Sequence, residues 1–231
     1  MTQARTAVHP HTHHLRVPRT ARYYTLGGEG GASSAIWFVL HGYGQLAGEF
    51  VCYFADLADP TSLIVAPEAM NRFYMVGVDT APAADRPVGA TWMTREDRDS
   101  EIADYVEYLD TLHEEILARP GHAAAAVTVI GFSQGAATAT RWVTHSKARI
   151  DRLVLWGGLL PPETDLSPGA AALRHIPITY VIGSRDRYIS DDMSVAEQAR
   201  LEKAHVPSRL IRFDGGHAIR RTVFDQLRAT D

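Results

Sequence analysis

A single cysteine, Cys52, stands in the 231 residues, which leaves no partner for an internal disulfide. That scarcity fits a reducing compartment, so the cytoplasm is the expected location. No apolar run approaches the about 20 residues of a membrane-spanning helix, and no membrane span is expected. Residues 1–20 hold no hydrophobic h-region and no small-residue cleavage site, which argues against a signal peptide. Basic charge is not in excess either: the net charge is −4, which excludes the electrostatic footprint of a nucleic-acid binder. Internal repeats and low-complexity tracts are missing too. What is present, 45% hydrophobic and 22% charged residues, suffices to enclose one substantial core in a single domain.

The first residues are rich in Arg5, His9, His11, His13, His14, Arg16 and Arg19. Histidines so spaced could take up a transition metal, but no nearby carboxylate or cysteine completes a coordination shell. The reading is a flexible, solvated leader over residues 1–14, followed by one domain over 15–231, with no metal and no cofactor.

Residues 15–26, ending at Gly27-Gly28, have the look of a β-hairpin or a pair of edge strands. Ile36-Trp37-Phe38-Val39-Leu40 is a continuous apolar run of the kind buried on both faces of a parallel sheet. Similar runs follow at 62–66, 126–130, 152–156, 178–182 and 209–213. Helical spacing marks 49–57, 95–117, 134–145, 191–204 and 218–227. Strands alternating with helices imply an α/β domain, a mostly parallel sheet covered on both faces. Only residues 68–94 show no clear period. Cys52, on an apolar helix face, is expected in the core.

Gly131-Phe132-Ser133-Gln134-Gly135 follows directly on the run 126–130 and opens a helix of small residues. A sharp strand-to-helix turn crowds the backbone on either side of the serine, which is why glycines flank it. It holds the hydroxyl out above the sheet edge, over a helix N-terminus that favours negative charge. A serine hydroxyl becomes a nucleophile only when a base takes its proton, and a histidine base needs an acid to fix its tautomer. In the order serine, acid, histidine the base lies late in the chain. His145 and His175 come too early, and His205 closes a helix. His217 follows the last strand through Gly215-Gly216, free to reach back over the sheet edge. Asp186, beyond Gly183-Ser184-Arg185 at the carboxyl end of a strand, is the acid of choice, whereas Asp214 is placed to brace the loop. An oxyanion needs two backbone N–H donors. Gln134, after the serine, is one; Tyr43 in His41-Gly42-Tyr43-Gly44 is the other, with His41 as a structural hydrogen-bonder holding that loop.

These stretches, with Gly183-Ser184-Arg185-Asp186 and Gly215-Gly216-His217, resemble the α/β-hydrolase superfamily. Within it they are most similar to the small carboxylesterase/phospholipase group that includes the acyl-protein thioesterases. The resemblance runs from about residue 36 to the end, with Gln45 standing where an aspartate is usual. It implies an eight-stranded sheet and hydrolysis of carboxylic or thioesters through an acyl-serine. It assigns Ser133, Asp186 and His217 as the triad and Tyr43 and Gln134 as oxyanion donors.

The stretch 157–175, rich in proline and alanine (Pro161, Pro162, Pro168, Ala170 to Ala172), is too short for a large cap domain. An open site walled by Phe73, Tyr74, Met75, Trp92, Met93, Leu159 and Leu160 is expected, suited to short-to-medium acyl esters. The expected partner is a small-molecule ester, and the reading leaves room for a homodimer. Two alternatives stay open: a thioesterase or lysophospholipase on the same residues, and a non-catalytic binding protein on a hydrolase fold.

Overall fold

The computed structural model describes residues 10–76, 82–167 and 172–228. Strands β1 (Tyr23–Gly27), β2 (Ala35–Leu40), β3 (Ser62–Pro67), β6 (Ala126–Phe132), β7 (Arg152–Trp156), β8 (Ile178–Gly183) and β9 (Ser208–Phe213) form one sheet. Their order is β1-β3-β2-β6-β7-β8-β9. Only β1 is antiparallel, pairing Tyr23 with Pro67; the other six strands run parallel. The fold is that of an α/β hydrolase.

Side-chain alternation divides the core into two layers. In β2, Ile36, Phe38 and Leu40 point to one face, where they meet Leu109, Leu112 and Ile116 of α2 (Arg98–Leu117) and Trp142 of α3 (Gln134–His145). Leu201 of α4 (Asp191–Lys203) packs on the same side. Trp37 and Val39 point the other way, onto Phe50 of the short α1 (Ala47–Phe50) and onto Phe54 and Leu57 in the 3-10 turns that continue it. Phe224 and Leu227 of α5 (Phe224–Arg228) complete that layer.

The sheet has seven strands rather than the eight implied by the resemblance, because residues 15–22 form no strand. Pro18 has no N–H to give a ladder, and Leu15 and Val17 lie 87% and 69% exposed, so this stretch has no face to bury. It is held along α2 instead, by His14 to Asp97 at 3.0 Å and Arg16 to Glu107 and Asp104. Residues 68–94 contain a separate ribbon of β4 (Asn71–Tyr74) and β5 (Val88–Thr91). Cys52 is exposed, not in the core, since Val51, Phe54 and Leu57 are the residues of that turn that face inward. His9 and the leader's residues 1–8, and Pro168, Ala170 and Ala171 of the expected cap-free stretch, lie outside the described residues. No described helix is long and apolar enough to cross a membrane.

Candidate active site

The six parallel strands β2, β3, β6, β7, β8 and β9 end at one edge of the sheet, the usual gathering place of functional groups in open α/β sheets. Ser133 stands at the end of β6 with φ 54° and ψ −115°, a conformation that a residue with a Cβ adopts only under strain. Its N–H is held by the Trp156 carbonyl at 2.9 Å. Close approach explains both flanking glycines: a Cβ on Gly131 would fall on the Gly135 carbonyl oxygen, and one on Gly135 on that of Leu40.

The loop after β8 brings Asp186 beneath the loop after β9. Asp186 Oδ2 lies 2.8 Å from His217 Nδ1, while Oδ1 accepts from the N–H groups of Tyr188 (2.9 Å) and Ile189 (3.3 Å). The carboxylate is 1% exposed and the imidazole 13%. A carboxylate at Nδ1 fixes the proton there and turns the Nε2 lone pair outward. Among the described residues Nε2 is buried and has no hydrogen-bond partner. Hydrogen bonds of this kind are often long without substrate and tighten when it binds. Asp214 accepts from Ser184 Oγ (3.4 Å) and pairs with Arg185, so it braces the loop.

The loop after β2 is equally fixed. His41 is fully buried; its Nδ1 lies 2.8 Å from the Gly42 oxygen and its Nε2 accepts from the Ala69 N–H at 3.0 Å. Burial holds its pKa below that of an ordinary histidine, so it stays neutral. Gln45, where the acyl-protein thioesterases usually have aspartate, accepts from the Gly42 N–H through Oε1 at 2.8 Å. Gln134 is the first residue of α3, so its N–H has no partner within the helix. Its side chain clamps the end of β5: Nε2 donates to Met93 O and Thr91 Oγ1, both at 2.9 Å, and Oε1 accepts from the Trp92 N–H at 3.1 Å.

Of the expected wall, Phe73 packs on Tyr43 with centroids 5.1 Å apart and the rings tilted by 35°, Tyr74 and Met75 are about half exposed, and Met93 and Leu159 are partly buried. Trp92 and Leu160 correct the expectation. They are 2% and 4% exposed and belong to the core, Trp92 donating its indole N–H to the His41 carbonyl at 2.8 Å. Two recesses of about 700 and 1070 Å³ lie along α2, and neither includes Ser133, Asp186 or His217. Hydrogen-bond geometry, not cavity volume, is what singles out this edge as the candidate site.

Three contributors escaped the sequence reading. Gly157, at φ 59°, lies where a Cβ would sit 2.8 Å from His217 Cε1; its signal was the glycine pair ending a strand. Glu68, 0% exposed, accepts from Arg22 Nε (2.6 Å), Arg72 Nε (2.7 Å) and the Ala47 N–H (3.2 Å), anchoring the helix that follows the His41 loop. Burial pulls its pKa upward, but the two guanidinium hydrogen bonds prevail and it ends below an ordinary glutamate. Its sequence context gave no sign of this. Tyr188 is the third, with its ring against His217.

A phospholipase/carboxylesterase family model matches residues 29–229. The chain belongs to that family. No curated protein matches the chain by sequence. Among solved structures the chain resembles Zea mays acyl-protein thioesterase 2, at 20% identity and a TM-score of 0.65, over 90% of this chain and 96% of that one. A carboxylesterase from Mesorhizobium loti is similar at 20% identity and a TM-score of 0.65, over 91% and 95% of the two chains. Esterase PE8 matches at 20% identity and a TM-score of 0.62, over 91% and 97%. Family membership makes the chain a carboxylesterase-type hydrolase; the likenesses in structure establish the shared fold.

Proposed function

We propose that this chain hydrolyses short-to-medium acyl carboxylic esters through an acyl-serine, with Ser133 as nucleophile, His217 as base and Asp186 as orienting acid. The observation that carries the reading is the 2.8 Å contact from Asp186 to His217 Nδ1, which leaves an unpartnered Nε2 at the edge where Ser133 is held in a strained turn. Nε2 takes the proton of Ser133 Oγ as the oxygen attacks the ester carbon. Negative charge on the carbonyl oxygen meets the backbone N–H groups of Tyr43 and Gln134, donors fixed before the reaction begins. As the carbon–oxygen bond to the alcohol breaks, Nε2 passes the proton to the departing oxygen. A water then repeats the sequence on the acyl-serine, releasing the acid and restoring Ser133. The reaction as written uses no metal and no cofactor.

The test is covalent labelling with a fluorophosphonate probe, expected on the wild-type protein and lost in Ser133→Ala. A folded wild-type protein that takes no label would put the non-catalytic binding reading ahead.

A further inference from the structure

His217 is held between two rings. Phe132, buried, has its centroid 4.9 Å away; Tyr188, at 4.7 Å and an interplanar angle of 73°, is 54% exposed. In the reaction proposed above, the alcohol leaves from beside Nε2, because the imidazole must give it a proton. The leaving group therefore lies along the open side of the imidazole, and Tyr188 is the ring there that reaches solvent. Its backbone N–H is fixed on Asp186 Oδ1 at 2.9 Å, so it cannot drift from the site.

The guanidinium of Arg187 lies 4.7 Å from the centroid of that ring. A stacked guanidinium keeps its in-plane N–H donors free for an anion. The neighbouring charges are taken: Asp186 holds His217, Arg185 pairs with Asp214, and Arg212 meets Asp191 at 2.7 Å. Asp192 stands in the first turn of α4, where the helix dipole favours a carboxylate. Arg187 is exposed and forms no ion pair among the described residues.

We infer that Arg187 and Tyr188 form a leaving-group subsite that selects esters whose alcohol portion carries an anionic group. Tyr188 covers the first atoms of the alcohol, and the Arg187 donors meet a phosphate or carboxylate beyond it. This rests on the roles given to Ser133 and His217 above and adds the substrate class. The bonds made and broken are those already described; Arg187 only attracts and aligns the anion.

Butanoyl esters of choline, glycerol and glycerol phosphate, of one acyl group and three charges, test it. The expected order of kcat/KM is anionic, neutral, cationic, with about a fivefold preference for the anionic over the neutral ester at low ionic strength. That ratio should shrink toward one as salt screens the charge. Arg187→Gln should abolish it, Tyr188→Ala should weaken it by removing the platform, and Tyr188→Phe should retain it. The ratio is taken within each variant, so loss of folded protein does not move it. Equal rates in the wild type, or a preference that survives Arg187→Gln, overturns the subsite and leaves the Ser133-dependent chemistry standing. Hydrolysis of none of the three, with Ser133 unlabelled, overturns both.

Discussion

Ser133 holds a backbone conformation that costs about 1–3 kcal/mol for a residue with a Cβ, and its neighbours must offset that. They do so by close packing, with Gly131 and Gly135 against backbone oxygens and the Ser133 N–H on Trp156. The strain is useful only if the hydroxyl reacts, so the strongest expectations concern this residue and the pair beside it. Ser133→Ala and His217→Ala should each lower kcat on an activated ester by about 10⁴-fold or more, and the double variant little further, because they act as one unit. Asp186→Asn should cost a similar amount or somewhat less, since it removes the acceptor that sets the imidazole tautomer. Asp214→Asn should change kcat by no more than about threefold, because its partners are Ser184 and Arg185 rather than the imidazole. Steady-state rates on p-nitrophenyl butyrate measure all five variants, and the reverse ranking of the two aspartates would reassign the acid.

At the scale of elements, two glycines separate folding from activity. Gly135→Ala drives a Cβ into the Leu40 carbonyl, between β2 and α3, where neither backbone can yield. Overpacking costs about 1–3 kcal/mol, at the upper end where the new atom meets backbone, and loss of soluble protein or a large fall in Tm is expected. In Gly157→Ala the new methyl meets a side chain, the His217 ring, at a backbone φ of 59°. Here kcat should fall at least about tenfold while much of the fold survives, as circular dichroism and kinetics together would show. The same scale explains what the sequence could and could not reveal. Residues 36–40, 126–130 and 178–182 were legible as strands because continuous apolar runs suit burial on two faces. Ser133, Asp186 and His217 were legible as candidates because each follows a strand through glycine. Residues 15–22 were misread because Leu15 and Val17, running straight into the true strand at Tyr23–Gly27, mimic its continuation until Pro18 and the missing apolar face are counted. Glu68 and Tyr188 owe their roles to chain segments distant in sequence, and local pattern carries no trace of that, whereas Gly157 left only the glycine pair that follows β7. Trp92 and Leu160 were placed in the wall by residue type, whereas depth is settled by the helices above them.

For the molecule as a whole, acid is the condition to which the fold is most exposed. Burial lowers the pKa of both His41 and His113 below the ordinary histidine value of about 6.5. Each therefore binds fewer protons folded than unfolded, and stability falls as pH drops through about 6.5 toward the lowered values. Glu68 acts in the same direction at lower pH: its folded pKa is depressed, so its contribution is present above the unfolded value and lost as pH falls through the folded one. Tm should decline steadily from pH 7.5 to 5, and His113→Gln, which can keep the hydrogen bond to the Arg149 carbonyl, should flatten the decline. An unchanged slope in that variant would remove His113 from the account.

Acyl selectivity also belongs to the whole molecule, because it depends on what stands over the reactive edge. Between β7 and β8 the described residues contribute nothing larger than the 3-10 turn Ala172–His175. The apolar surface near Ser133 comes instead from the β4–β5 ribbon and the loop after β2, where Phe73 meets Tyr43 and Met75 closes on Gly44. Each methylene laid against that surface gains about 0.8 kcal/mol, and the gain ends where the acyl chain passes the ribbon into water. A series of p-nitrophenyl esters from acetate to palmitate should therefore show kcat/KM rising over the first members, reaching a maximum at short-to-medium length and falling for palmitate. No jump in rate is expected when the ester exceeds its solubility limit, since the described residues form no large cap for an interface to open. A maximum at palmitate accompanied by such a jump would mean that the ribbon folds over the acyl chain and performs the work of a cap.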